Sequence, residues 1–272
     1  MNPRLLFSLP VFLFAAAVAQ AQLGGLNLNK LSKALDTAKD AGKMVKGVTG
    51  VGPAEEALIG DSVALEIIGQ YGGLVRDPDL MRRINLLGRA LARYSDRPEL
   101  DWRFGVLDSD TVNAFSAPDG YVFITRGLYD QAGNDDLLAA ILGHEIGHIT
   151  NRHALKIVAR GDFLSGATSF ASKRSGDLRQ VEAQLSQFDL GIGQITKTLF
   201  EKGFDPQTEY AADKDGRQLA VTTGYAPGGL RAVLFNLQRA GENRKTVFST
   251  HPPVVERIKR LPDEPAPPAG AQ

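Results

Sequence analysis

The chain has 272 residues, with 31 Lys plus Arg balanced by 31 Asp plus Glu, four His and no Cys. Zero formal charge and a pI near 6.9 exclude a polybasic nucleic-acid or membrane-surface binder, and no partner of that kind is expected. The lack of Cys excludes a disulfide scaffold, a thiolate zinc site and a cysteine nucleophile, while 43% hydrophobic and 23% charged residues exclude wholesale disorder.

Residues 1–21 read as a secretory signal. Arg4 is followed by an apolar run from Leu5 to Ala19, broken only by Ser8 and Pro10, and by Ala-x-Ala at positions 17–19 and 19–21. The run is shorter than the roughly 20 residues that a membrane span needs. The mature chain is therefore expected to begin at Gln22 and to work in the periplasm, with no Cys to carry a lipid anchor. Residues 22–52 form a Gly-, Asn- and Lys-rich arm in which Leu31, Ala34, Leu35, Ala38 and Val45 fall at helical spacing.

A domain is expected over 53–261. Pro53 suits a first helical position, ahead of a helix from Ala54 to Leu74. Asp77-Pro78 caps a second, with Leu80, Ile84, Leu87 and Leu91 on one face. The period then changes. Trp102, Phe104 and Val106 alternate along a strand, Val112 to Phe115 is a second, and Tyr121 to Thr125 is a third after the turn at Pro118-Asp119-Gly120. A long helix is predicted from Asp135 through Ala159, and Gly161 to Gly203 reads as jointed helices able to form a lid. Asp205-Pro206 opens a helix to Thr223, and Pro227 opens another to Ala240. Residues 262–272 form a Pro-rich tail expected to be disordered. The fold class is α+β, mainly helical, with a small β-sheet beside the helix that carries the chemistry.

That chemistry centres on His144-Glu145-Ile146-Gly147-His148. In a helix, residues i and i+4 lie about 40° apart around the axis, so both imidazoles project to one point. Zinc takes His nitrogens at about 2.0–2.1 Å, and this spacing supplies two at once. Glu145 lies beside the metal, placed to take a proton from water. A catalytic zinc needs a third protein ligand. His153, about 140° around a continuing helix from His148, faces elsewhere and reads as a structural or surface residue. The metzincin pattern also fails, because Asn151 and Ala154 stand where it needs Gly and His.

The best candidate is Glu209, followed by Asp213 at i+4, with the small Ala211 and Ala212 between them permitting close helix packing. Glu209 would bind the metal, and Asp213 would accept the remaining N–H of a ligating His. Considered alone, the pair reads as a solvated acidic helix face; the zinc motif reverses that preference. Asn113, Ala114 and Phe115 fall at the sheet edge, where an extended substrate could add as a further strand through backbone hydrogen bonds. An ordinary half-buried strand is the competing reading.

The sequence resembles the gluzincin endopeptidases that include the CAAX prenyl protease and the HtpX heat-shock protease, most closely the soluble BepA-like periplasmic branch. The resemblance rests on Asn113-Ala114-Phe115 with Pro118 and Gly120, Tyr121 to Gly127, the His144 motif, Glu209 with Asp213, and Thr250-His251-Pro252 followed by Arg257. It implies a zincin-type domain with one Zn²⁺ on His144, His148 and Glu209, and Glu145 as general base. It also implies that His251 and Arg257 face the cleft and stabilise the oxyanion. His251 has two rival readings, a fourth ligand that holds the enzyme latent and a capping His before the last helix.

The implied substrates are unfolded or misassembled envelope proteins, with peripheral contact to the outer-membrane assembly machinery. A largely latent protease fold acting as a chaperone or assembly factor is the alternative. The sequence departs from the family at Asp119, where Gly is usual, and in its short tail, which predicts a stand-alone protease domain.

Overall fold

Three Pro residues placed just inside helix starts set much of the architecture. The computed structural model describes residues 51–160, 192–193, 195–197, 203–241 and 254–264, all within one unit, Lys46–Gln272. Helix α1 (Pro53–Gln70) and helix α2 (Pro78–Ala92) both carry Pro in the first turn, and Asp77 caps α2 by accepting from the Asp79 and Leu80 amides. Strands β1 (Arg103–Leu107), β2 (Ala114–Ala117) and β3 (Tyr121–Thr125) follow. Then come α3 (Arg126–Ala132), α4 (Asp135–Thr150), α5 (His153–Arg160), α6 (Pro206–Thr222), α7 (Gly229–Gly241) and α8 (Val254–Arg260). No helix among the described residues is long and apolar enough to cross a membrane. The leader, residues 22–50 of the arm, nearly all of the lid segment 161–203 and His251 lie outside the described residues.

The sheet has the order β1-β3-β2, with β1 parallel and β2 antiparallel to the central strand. Alternate side chains point to opposite faces, and both faces are covered. Phe104, Val106, Val122 and Ile124 join one apolar cluster with α2, α4 and α7. Leu107, Phe115, Ala117 and Phe123 join another with Ile59, Val63 and Ile67 of α1 and Leu155 and Val158 of α5. Strand β2 sits at the edge, as predicted, but starts at Ala114 instead of Val112 and runs to Ala117. The Pro118-Asp119-Gly120 turn places Asp119 at φ 62°. That left-handed conformation favours Gly and is tolerated by Asp, which accounts for the departure there.

Three helical expectations are corrected. Helix α1 ends at Gln70, short of Leu74, which bridges to Leu107 instead. The short α3 was not anticipated; Thr125 caps it by accepting from the Leu128 amide. The long helix ends at Thr150 and restarts at His153. The Asn151 side-chain amide and the Thr150 hydroxyl both donate to the Gly147 carbonyl, and Arg152 turns the chain at φ 53°.

Helix α4 is buried along nearly its whole length, from Leu137 to Ile149, as a helix apolar on all sides must be. Its most extensive helical partner is α6, and small residues set their approach. A Cβ added to Gly216 would lie 2.5 Å from the His144 amide nitrogen, and one on Gly143 would lie 2.6 Å from the Gly216 carbonyl oxygen. Gly147 faces Ala212 in the same seam, so Gly143, Gly147, Gly216 and Ala212 make the crossing that the sequence assigned to Ala211 and Ala212.

Gly216→Ala is therefore expected to lose about 1–3 kcal/mol of stability by overpacking and to weaken metal binding by moving Glu209. Denaturant unfolding and metal stoichiometry check this. Gly69→Ala on α1, where nothing lies within 4 Å of the added methyl, is the control and should not destabilise.

Candidate active site

The α4–α6 crossing sets Glu209 against the two helical histidines. Asp205 caps α6 by accepting from the Gln207 and Thr208 amides, with Pro206 in the first turn, so Glu209 lies one turn into a firmly started helix. His144 Nε2 and His148 Nε2 are 3.1 Å apart, and each lies 3.5 Å from a Glu209 oxygen. All three residues are buried, Glu209 completely. An ion with bonds of about 2.1 Å at tetrahedral angles separates its ligand atoms by about 3.4 Å. Two imidazoles and a carboxylate at this spacing fit Zn²⁺ or a similar borderline cation. Glu145, 4% exposed, follows His144 in the same helix.

The far sides of both imidazoles are also occupied. His144 Nδ1 lies 2.9 Å from Asp213 Oδ1. Arg257 Nε and Nη2 donate to the two Asp213 oxygens at 2.8 and 2.5 Å, and Nη1 lies 3.5 Å from Glu209 Oε2. The Arg257 fork, expected in the cleft, is thus engaged with Asp213 and Glu209.

Burial and the nearby Arg257 would lower the His144 pKa, but its hydrogen bonds to Asp213 and Glu209 outweigh them and raise it to about 9. A cation entering between the imidazoles displaces that proton. Burial likewise pushes Asp213 up, yet its hydrogen bonds to His144 and Arg257 hold it below the usual carboxylate range.

His153 does not face elsewhere. The break at Asn151-Arg152 swings it back, so that its Nδ1 lies 3.0 Å from His148 Nδ1, and it is 4% exposed. Phe204, just before α6, stacks on the His148 ring at 4.2 Å. Neither contact is visible in helical spacing; the polar Thr150-Asn151 pair at the helix end was the available signal.

At the sheet edge, Asn113 exchanges backbone and hydroxyl hydrogen bonds with Thr125. In an antiparallel ladder bonded and non-bonded pairs alternate, so Asn113, Phe115 and Ala117 address β3, while Ala114 and Ser116 turn their peptide groups outward. The Ala114 amide is accepted by the Asn113 side chain. The Phe115 ring lies in the core against Tyr71, 4.5 Å between centroids.

An α+β fold with two helical histidines, a carboxylate from a second helix and a glutamate beside the first histidine defines a metallopeptidase of the zincin type. Residues 78–264 match the description Peptidase family M48, and the chain belongs to that family. It is 25% identical over 233 residues to the Beta-barrel assembly-enhancing protease of Escherichia coli K12, covering 84% of this chain and 45% of that protein. It is 29% identical over 186 residues to a Protease HtpX homolog of Salinibacter ruber, covering 57% and 65% respectively. It is 26% identical over 183 residues to Metalloprotease LoiP of E. coli K12, covering 67% and 69%. The chain thus spans about half the length of the assembly-enhancing protease.

Proposed function

We propose that this protein is a zinc-dependent endopeptidase of the periplasm that removes misfolded or misassembled envelope proteins. The observation that carries the reading is the buried set of His144, His148 and Glu209, with donor atoms 3.1–3.5 Å apart and Glu145 alongside. Similarity to the assembly-enhancing protease supports the substrate class and contact with outer-membrane assembly machinery. The signal-like residues 1–21 support the compartment.

His144, His148 and Glu209 would hold the metal, which would supply Lewis-acid polarisation of the scissile carbonyl and a lowered pKa for the attacking water. The Glu145 carboxylate accepts the proton of that water and returns it to the leaving amine nitrogen. Asp213 accepts the His144 Nδ1–H and so keeps Nε2 as the ligating atom. An extended substrate aligns on β2 through the outward Ala114 carbonyl and the Ser116 peptide group, with Asn113 and Phe115 fixing that edge. This pairing ignores side-chain identity and suits unfolded chains. His251 donates to the developing oxyanion, with Arg257 behind the ligands.

The test is casein hydrolysis by the full mature chain, zinc-loaded and chelated, with thermal unfolding measured in parallel. The zinc-loaded protein cleaves and the chelated one does not. Chelation also lowers stability, by about 4 kcal/mol relative to free zinc at 1,000 times its Kd. Equal turnover in both samples would remove the metal from the reaction.

A further inference from the structure

We propose that His153 is a positioning residue for the His148 ligand: its Nδ1 accepts the His148 Nδ1–H and fixes the tautomer and ring plane in which His148 presents Nε2 to the metal. The inference rests on the metal site proposed above. His148 Nε2 faces the ligand cluster, 3.1 Å from His144 Nε2 and 3.5 Å from Glu209 Oε1. A neutral imidazole that ligates through one nitrogen carries its hydrogen on the other. The only nitrogen left is Nδ1, and it points at His153 Nδ1, 3.0 Å away. His153 must then accept at Nδ1 and keep its own hydrogen on Nε2.

The backbone is built for this contact. Arg152 adopts φ 53°, uncommon for a residue with a side chain, and this turn brings His153 under the end of α4. Phe204 stacks on the His148 ring with an interplanar angle of 19°, and His153 meets that ring edge-on at 75°. The imidazole is thus held from its face and from its Nδ1 edge. The two ligating histidines have unlike partners, since His144 leans on the Asp213 carboxylate. A neutral acceptor behind His148 suits a cluster where Glu209 and Asp213 already face Arg257 and Glu145 is buried alongside, because a further carboxylate would add uncompensated buried charge.

The experiment uses the full mature chain, titrated with zinc and with cobalt(II) against a chromophoric chelator. His153→Phe keeps the ring and removes the acceptor; His153→Gln restores an acceptor oxygen. The Phe variant is expected to bind zinc about 10–100-fold more weakly, with a shifted cobalt absorption band, and the Gln variant to recover most of the affinity. Imidazole ¹⁵N spectra of the zinc-loaded wild type should show His148 protonated at Nδ1 and His153 unprotonated there, a readout independent of whether the Phe variant folds. Wild-type affinity in the Phe variant, or a proton on His153 Nδ1, overturns the inference while leaving the metal site standing. A wild type that takes up no metal overturns both.

Discussion

Replacing Glu145 with Gln should leave metal uptake unchanged and lower peptide hydrolysis by about two to four orders of magnitude. The substitution is nearly isosteric, and Glu145 is buried at 4% exposure, so packing around His144 is kept. What it removes is the capacity to accept a proton from the attacking water and hand it to the leaving amine. Casein turnover and bound zinc, measured on the same preparations, separate the two effects. Undiminished turnover in the variant would take Glu145 out of the reaction. Undiminished envelope assembly by the inactive variant would favour the assembly-factor alternative over the protease reading.

The second large effect is expected at Arg257. It is 2% exposed, forks onto Asp213 and faces the fully buried Glu209. Arg257→Met leaves two buried carboxylates without their cation, and breaking a buried ion pair from one side costs about 3–5 kcal/mol. The loss should be largest in the chelated protein, since a metal on Glu209 replaces part of the missing charge. Arg257→Lys keeps the charge but loses the two-pronged geometry, and its stability should fall between. Urea unfolding of chelated and zinc-loaded samples reads this directly. A residue acting solely on the oxyanion would behave differently: kcat would fall in Arg257→Met and the unfolding midpoint would stay in place.

How far the sequence reaches depends on how local each feature is. The His144–His148 pair was legible because four residues of helix determine the direction of both imidazoles. The Asp-Pro starts of α2 and α6 were legible because capping uses only neighbouring amides. The edge position expected for Asn113-Ala114-Phe115 agreed with the observed sheet order, and the register decided that the peptide groups of Ala114 and Ser116 turn outward.

The long helix failed at its end for an equally specific reason. Helical periodicity cannot register two polar side chains competing for one carbonyl, and the positive φ at Arg152 lies outside what side-chain spacing reports. His153 therefore read as pointing away when it touches His148.

By itself, the sequence determined the metal-binding helix, the residue types of the ligand set and the α+β class. Tertiary structure decided the rest of the site. Glu209 and Asp213, taken alone, would have been a solvated acidic face. They meet the histidines because glycines at 143 and 216 let two helices approach to backbone contact. Arg257 joins from a third helix to neutralise the carboxylates so buried. Local hydrogen bonding and helical period are written in neighbouring residues; which buried charge meets which is set only when distant helices pack.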